Sequence, residues 1–391
     1  MYSYRILRVL AAALLASIVL VCTLAAGPVV SVSGGESGTA EAKQASQFQF
    51  LLAIRSNDPL IDSLGYDPLA RLDLRNTPFS REAIDIPGWQ IGRYRRQGPH
   101  LIAMQNKDLS RHLREIREDV DEKVPVDFTG VVIIDYEPWW ALWERTPNTP
   151  STAAFDATDG DYKDDWRDYI RAERSYLVDR LSEEQAESVF KRTYQAFMRT
   201  YLLATYYRCK QLRPRAQWGF YNYPQILIHS DLTPFGVQGY GDLSHRASQL
   251  NDEIAWYFEA VDVISPRIYP TRKVRERYLP TGRESGEINR SIHESWLASI
   301  VRESVRLANG KPVLPYHSPI FYNSRESFDR DPVEQFQHEE IFRILAENGA
   351  AGVIIWHALG DEDDLAEWNR FWPNELRPAA VNASRDIDAG R

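Results

Sequence analysis

Two carboxylates stand two residues apart at the end of an apolar run, with indole side chains directly behind them. The stretch 131–143 reads VVIIDYEPWWALW, so Asp135 and Glu137 follow four β-branched residues. Side chains two apart on a strand share one face and lie roughly 6–7 Å apart. Like charges at that range raise the pKa of one carboxyl group, which then donates a proton near neutral pH. Cleavage of a glycosidic bond requires such a donor.

Aromatic side chains with polar tips close the later apolar runs of the chain. Tyr221 and Tyr223 close WGFYNYP, Tyr269 closes ISPRIYP, His317 closes VLPYHSP and Trp356 closes GVIIW. The ends of parallel strands meet at one mouth, so these side chains are expected to converge there with the two carboxylates. Core packing of each ring, and ion pairing of the carboxylates with Arg145, are the alternatives.

Strand-like runs alternate with amphipathic helix patterns along most of the chain. Strands are predicted over 48–54, 100–104, 131–135, 218–221, 263–269, 313–317 and 351–356, and helices over 108–120, 182–210, 253–261, 291–308 and 333–348. Stretches 57–98 and 144–168 do not fit the alternation and are predicted as long loops. The alternation predicts an α/β fold, a TIM-like (β/α)8-type barrel of seven or eight strands with a single catalytic domain, and an open doubly wound sheet is the alternative.

The N-terminal segment has the features of a secretory signal peptide. Arg5 and Arg8 precede the apolar run 9–26, and small residues suited to cleavage follow. We therefore expect a signal peptide over 1–27, a disordered linker over 28–46, the barrel over 47–375 and a flexible tail over 376–391. Cleavage implies a secreted or extracytoplasmic protein, and an uncleaved membrane anchor is the alternative.

Composition excludes some classes of partner and cofactor. The formal net charge of −9 over 391 residues argues against binding to nucleic acid or to an anionic membrane. After signal removal Cys209 is the single cysteine, which indicates neither a metal site nor a thiol nucleophile. We therefore expect no metal and no organic cofactor, and the sequence does not indicate an oligomeric state.

Several blocks in matching order resemble the hyaluronidases of the animal and venom type, a glycoside hydrolase family. They are IGRY at 91–94, LIAMQNKDLSRHL at 101–113, VVIIDYEPWWALWER at 131–145, AFMRTYLLATYYRCKQLRPRAQWGFYNYP at 196–224, SPRIYP at 265–270 and NGAAGVIIW at 348–356. The block VVIIDYEPWWALWER is similar to the family's VIDWEEWRPLWxR motif. The similarity covers roughly residues 90–360 and implies the distorted (β/α) barrel of that family, with a polysaccharide as the substrate.

The resemblance also implies a role for each matching residue. Glu137 matches the proton donor, and Asp135 matches the carboxylate that orients the substrate's acetamido group, whose carbonyl oxygen is the nucleophile. Tyr221 and Tyr269 match tyrosines that contact this group. Tyr94 matches a residue lining the cleft, and Trp356 matches the indole at the floor of the pocket. The implied activity is that of a retaining endo-β-N-acetylhexosaminidase acting on β-1,4 bonds of hyaluronan or chondroitin.

Three departures from the family pattern concern the substrate. Pro138 and Trp140 stand where the family motif has glutamate and arginine, and Arg267 stands where it has serine. Trp140 is therefore assigned to the substrate groove, and Arg267 is expected to meet a uronate carboxylate there. A hydrolase of neutral N-acetylhexosamine polymers and an inactive glycan-binding barrel are the alternatives, and retention of Asp135 and Glu137 argues against the inactive one.

Overall fold

The structure is a computed structural model, and it describes the chain in eleven stretches. They are 48–55, 79–80, 83–87, 106–136, 141–145, 162–224, 245–270, 273–275, 287–321, 331–358 and 362–390. The predicted signal peptide at 1–27, the linker at 28–46 and the predicted strand at 100–104 lie outside the described residues. None of the helices in the described stretches is both long and apolar enough to cross a membrane.

Strands and helices alternate through the described residues. The strands are β1 (Gln49–Arg55), β2 (Phe79–Ser80), β3 (Ala83–Pro87), β4 (Val131–Asp135), β5 (Gln217–Phe220), β6 (Lys273–Arg275), β7 (Glu287–Asn289), β8 (Tyr316–His317) and β9 (Gly352–Ala358). The helices are α1 (Asn106–Lys123), α2 (Tyr162–Glu173), α3 (Glu183–Leu212), α4 (His245–Glu253), α5 (Ala255–Ala260), α6 (Arg290–Ala308), α7 (Gln335–Glu347), α8 (Glu362–Phe371) and α9 (Arg377–Asp388).

The strands pair side by side in parallel. β3 pairs with β4, and β4 pairs with β5, so that Ile134 lies opposite both Ile86 and Phe220. On the other side β8 pairs with β9, β9 with β1, and β1 with β2. β2 and β3 are separated by two residues in the sequence, and together they connect β1 to β4. Parallel pairing of these strands is what the strand–helix alternation predicted.

The segment 263–267 completes the ring between β5 and β8. It makes single parallel bridges, Tyr221 to Ser265 on one side and Ile264 to Val313 and Arg267 to Tyr316 on the other. The predicted strand at 263–269 is thus a broken ladder, because Pro266 has no amide hydrogen to donate. A side chain at Gly219 would meet the carbonyl oxygen of Val263 at 2.6 Å, so glycine there permits the close approach of β5.

The strands divide the core into a part inside the ring and a part between the strands and the helices. Leu51, Ala53, Val131 and Ile133 lie in a cluster inside the ring, whereas Val132 and Ile134 pack outward against the helices. This alternation buries the strands on both faces, which explains why β4 reads as four consecutive β-branched residues. It also places every second residue of each strand on the inside of the ring.

The long helix α3 supports the outer face of β4 and β5. Its start is set by a capping box, in which Ser182 accepts from the Gln185 amide and the Gln185 side chain accepts from the Ser182 amide. One side of the helix is buried over its length and joins the cluster that contains Val132 and Ile134. The helix is therefore fixed directly behind the strand that carries Asp135.

Three predictions about the organisation differ from the structure. The stretch 57–98, predicted as a loop, contains the short strands β2 and β3, and α2 begins inside the loop predicted at 144–168. The flexible tail predicted at 376–391 is wrong, because α9 occupies Arg377–Asp388 and packs on α7. Leu376, Ala379, Ala380 and Ala383 are buried there, and small residues at this helical spacing carried the signal that was missed.

Candidate active site

Asp135 lies at the carboxyl end of β4, on the inside of the ring. Val131 and Ile133 of the same strand belong to the interior cluster, and alternation places Asp135 on their side. The residue is half-buried and its Oδ1 atom is buried from solvent. The carboxyl ends of the strands are where barrel enzymes carry their active sites.

Tyr221 is the neighbour of Asp135 on the next strand. The Tyr221 amide donates to the carbonyl oxygen of Ile134 at 3.0 Å, which sets the tyrosine beside the end of β4. Tyr221 also bridges to Ser265, so three neighbouring segments of the ring meet at this level. The side chain is buried in the interior cluster.

A row of aromatic rings continues from Tyr221 around the mouth of the ring. The centroid of the Tyr221 ring lies 6.0 Å from that of Tyr269. The ring of Tyr269 stacks on that of Trp356 with centroids 5.8 Å apart and planes inclined by 16°. Tyr316 meets Tyr221 edge to face at 5.0 Å. The guanidinium carbon of Arg267 lies 5.6 Å from the centroid of the Tyr269 ring. Together these rings form an apolar wall with polar edges.

The structure therefore brings some of the predicted site residues together. Asp135, Tyr221, Tyr269 and Trp356 lie at or near the carboxyl ends of their strand segments, and Arg267 lies beside Tyr269. The predicted donor Glu137 and the predicted substrate residues Tyr94 and Trp140 lie outside the described residues.

Two of the strand-end residues do not reach the mouth. Asn222 adopts a φ of 65°, which turns the chain after Tyr221, and Tyr223 instead packs on Tyr257 behind the sheet at 4.4 Å. His317 lies on the outer face of β8, where it contacts His338 of α7. Both expectations were wrong because placement at a strand end does not by itself decide which face a side chain takes.

One interior ring was not singled out by the sequence analysis. Tyr316 precedes His317 and takes the inner face of β8, next to Tyr221. The alternation of side chains along a strand could have identified Tyr316, because Leu314 and Tyr316 are two residues apart and both face the interior. Within the described stretches, no group of His, Cys, Asp and Glu side chains is arranged to hold a metal ion.

Comparison with known proteins places the chain in a family. The model of glycoside hydrolase family 56, described as hyaluronidase, matches residues 102–371. The hyaluronidase of Apis mellifera is 28% identical over 294 residues, which cover 72% of this chain and 67% of that protein. Hyaluronidase Tab y 2.0101 of Tabanus yao is 26% identical over 269 residues, covering 68% of each chain. Human hyaluronidase-1 is 28% identical over 253 residues, covering 64% of this chain and 52% of that protein.

Solved structures show the same architecture. Bee venom hyaluronidase superposes with a TM-score of 0.63 at 22% identity, covering 85% of this chain and 99% of its own. The same enzyme crystallised with a hyaluronic acid tetramer gives a TM-score of 0.62 at 21% identity, with coverage of 85% and 98%. The predicted (β/α)8-type barrel is confirmed. The chain belongs to the hyaluronidase family of glycoside hydrolases and is an enzyme of the hyaluronoglucosaminidase type.

Proposed function

We propose that the enzyme hydrolyses internal β-1,4 bonds of hyaluronan after N-acetylglucosamine, with Glu137 as acid and base and Asp135 as the residue that orients the acetamido group. The position of Asp135 carries this proposal. It stands at the carboxyl end of β4, on the inner face, next to the wall formed by Tyr221, Tyr269 and Trp356.

The proposed reaction uses the substrate as its own nucleophile, a known exception to the two-carboxylate scheme. Glu137 protonates the leaving glycosidic oxygen, and the acetamido carbonyl oxygen attacks the anomeric carbon. Asp135 accepts the acetamido N–H and so holds this oxygen in line. Glu137 then takes a proton from the water that opens the oxazolinium ring, which gives net retention. Asp135 and Glu137 stand two residues apart in the chain, which suits this scheme. The acetamido group supplies the nucleophile, so no carboxylate is needed on the opposite face of the sugar.

The aromatic wall has a role in holding the reacting sugar. The nearly parallel rings of Tyr269 and Trp356 offer a flat surface for the apolar face of a pyranose. In this proposal Trp356 supports the reacting sugar from below, while the hydroxyl groups of Tyr221 and Tyr269 contact the acetamido group. Tyr94 and Trp140 line the outer groove.

Arg267 is proposed to bind the uronate carboxylate of the substrate. Its guanidinium lies over the Tyr269 ring, a geometry that fixes a cation at the edge of the aromatic wall. Hyaluronan carries one carboxylate per disaccharide, and arginine binds carboxylates with two parallel hydrogen bonds. The bee venom enzyme, similar in fold, was crystallised with a hyaluronic acid tetramer, which supports a polyanionic substrate here.

A hydrolase of neutral N-acetylhexosamine polymers is the second candidate. It is favoured by Trp140, which replaces an arginine of the family motif, and by the net charge of −9. Chondroitin is the second candidate among charged polymers. We also propose, from Arg5, Arg8 and the apolar run 9–26, that the enzyme is exported from the cytoplasm.

Product analysis separates these candidates. The enzyme and its Glu137→Gln variant are incubated with hyaluronan, chondroitin, chitooligosaccharides and peptidoglycan, and the products are measured by mass spectrometry. We expect saturated, even-numbered oligosaccharides from hyaluronan that end in N-acetylglucosamine, and none from the variant. Cleavage of the neutral polymers alone would replace hyaluronan by the second candidate. Binding without turnover on every polymer would reject an enzymatic role.

A further inference from the structure

The helix α3 presents a stripe of residues to the chain on both sides of Glu137. Glu187, Lys191, Tyr194, Met198 and Tyr201 recur at intervals of three and four residues, which places them on one side of the helix. This stripe, called here the docking stripe, faces the end of β4 and the turn at 141–145. It is therefore in reach of the segments that precede and follow the proposed proton donor.

The upstream contact is made by Tyr136, the residue directly before Glu137. Tyr136 is buried, and its ring lies 5.4 Å from the ring of Tyr201. The ring of His112, on α1, also stacks against that of Tyr201, with centroids 4.5 Å apart. His112 Nε2 is hydrogen-bonded to Thr205 Oγ1 at 2.8 Å. The upstream end of the segment is thus held by β4 on one side and by α3 on the other.

The first downstream contact is made by Trp143. Its Nε1 donates to Glu187 at 2.9 Å, and its ring meets Tyr194 edge to face at 5.3 Å. Lys163 and Arg167 of α2 lie against the same indole, at 5.4 Å and 5.3 Å from the ring centroid. Arg167 also donates to both oxygens of Glu187, at 2.9 Å and 2.8 Å. These hydrogen bonds from Arg167 lower the pKa of Glu187 against the effect of burial, so the anchor stays ionised.

The second downstream contact is an ion pair between Glu144 and Lys191. The Lys191 Nζ lies 2.6 Å from Glu144 Oε1 and 2.8 Å from Glu253 Oε2 of α4. Burial acts to lower the pKa of Lys191, but its hydrogen bonds to Glu144 and Glu253 raise it overall. The lysine is therefore charged at neutral pH and links the turn at 141–145 to two helices. Because these side chains are partly shielded from water, the pair should be stronger than a fully exposed one.

These contacts confine the chain on both sides of the proposed donor. Four residues, 137–140, connect Tyr136 to Ala141, and both of these flanking residues are buried. A stretch of this length spans at most about 3.3–3.6 Å per residue, so fixing its two ends limits where its backbone can go. A catalytic group has to be held to within a fraction of an ångström, and a displacement of about 1 Å can cost on the order of 10²-fold in rate.

We propose that Glu187 and Lys191 are positioning residues for the reaction, which hold Trp143 and Glu144 on α3 and so act on Glu137 through the chain that connects them. The inference rests on the proposed function, in which Glu137 is the proton donor. Neither residue touches the sugar in this proposal, because both act through Trp143 and Glu144. A merely structural role would predict loss of stability without a specific effect on the chemical step.

The test removes each anchor while keeping the shape of the side chain. Lys191→Met and Glu187→Met remove the two downstream anchors separately, because methionine has a similar length but neither the charge nor the carboxylate oxygens, and Lys191→Arg restores the charge. Arg343→Met is the matched control, because Arg343 also pairs with two carboxylates, Glu347 of α7 and Glu294 of α6, and lies away from the docking stripe. We measure kcat and KM on hyaluronan, the pH profile of kcat, the melting temperature, and amide hydrogen exchange in the peptide that covers 136–145.

We expect Lys191→Met and Glu187→Met each to lower kcat by roughly 10-fold or more, with KM changed much less, since misplacing a catalytic group affects mainly the chemical step. The limb of the pH profile that reports the donor should shift, and exchange should rise in 136–145 but not in α7. Lys191→Arg should recover most of kcat, and the control should match the wild type.

Two outcomes would overturn the inference. One is an unchanged kcat and pH profile in both variants; the other is a loss of activity that follows only the fraction unfolded and disappears well below the melting temperature. The hydrogen-exchange measurement needs no substrate. If the wild type fails to cleave hyaluronan, the proposed function fails, whereas unchanged exchange in 136–145 rejects the anchoring itself.

Discussion

The indole of Trp356 lies stacked on the phenol ring of Tyr269, with centroids 5.8 Å apart and planes inclined by 16°. The two residues belong to segments on either side of β8, so the barrel, and not the local sequence, makes this pair. Since Arg267 packs on the same tyrosine, one ring connects the proposed sugar platform to the proposed uronate site.

The stacked pair leads to a first prediction. Trp356→Ala should raise KM for hyaluronan and lower kcat, because the reacting sugar loses its platform and Tyr269 loses the ring that fixes its orientation. Tyr269→Phe should keep the stack and lose only the hydroxyl group, so it should lower kcat with little change in KM. Steady-state kinetics on hyaluronan measure both values. If the two variants show the same ratio of effects on kcat and KM, the division of roles between ring and hydroxyl is wrong.

The second prediction concerns the proton donor. Glu137→Gln should lower kcat by about 10²–10⁴-fold, because the amide keeps the shape of the side chain but cannot deliver a proton. Circular dichroism and the melting temperature should match the wild type. Asp135→Asn should also lower kcat, since the amide can still accept a hydrogen bond but carries no charge to stabilise the oxazolinium. A Glu137→Gln enzyme that retains most of its activity would remove the residue from its proposed role.

The third prediction concerns Arg267. Arg267→Ala should raise KM for hyaluronan, because a cation that attracts the uronate is lost. It should also flatten the dependence of KM on ionic strength, because salt weakens that attraction as the Debye length falls from about 10 Å at 0.1 M to about 3 Å at 1 M. Hydrolysis of a neutral chitooligosaccharide, where it occurs, should change little. Arg267→Lys keeps the charge without the planar group, so it should recover part of the salt dependence. Equal losses on charged and neutral substrates would favour a structural partner for Arg267 instead.

The fourth prediction concerns stability in acid. His317 Nε2 and His338 Nδ1 lie 2.8 Å apart in the core, and His293 is buried nearby on α6. Burial lowers the pKa of His338 to about 3 and that of His293 to about 4, and it lowers the pKa of His317 well below its usual value. These imidazoles are therefore neutral in the folded protein, whereas the unfolded chain binds protons on them below about pH 6.5.

The sign of the effect follows from this difference in bound protons. The free energy of unfolding should fall as the pH falls from about 6.5 toward 4, because the unfolded state binds more protons in that range. Urea unfolding between pH 7 and pH 4 measures the slope. The double variant His317→Phe/His338→Leu should show a shallower slope, since two titrating groups are gone. A slope equal to that of the wild type would show that these histidines do not control acid stability.

Local patterns were sufficient for several parts of the fold and the site. Four β-branched residues before Asp135 indicate a strand buried on both faces, and β4 is that strand. Ser182 marks the predicted start of the helix 182–210, because an N-cap depends only on residues close by in the chain, and the structure adds Gln185 as its partner in a capping box. The family was also predicted from motifs in the chain and is confirmed by the family model.

Other parts depended on contacts between distant residues. β2 has only two residues, and β3 lacks the continuous β-branched run that marks β4. They are strands because β1 and β4 offer them hydrogen-bonding partners. Similarly, α9 forms because a row of small residues fits against α7, where Asn382 Nδ2 donates to Glu339 Oε1 at 2.7 Å. The residue composition of a segment carries no information about such partners, which is why the tail was predicted to be flexible.

By itself, the sequence determined which residues can do chemistry and the order of strands and helices that carries them. It did not decide which side chains face the inside of the ring at strand ends: Tyr221 and Tyr316 face it, whereas Tyr223 and His317 do not. Nor did it show that Trp143 and Glu144, downstream of the carboxylates, are tied to α3. Only the tertiary structure decides such contacts, because they join residues far apart in the chain and depend on how the strands close and on what the helices behind them present.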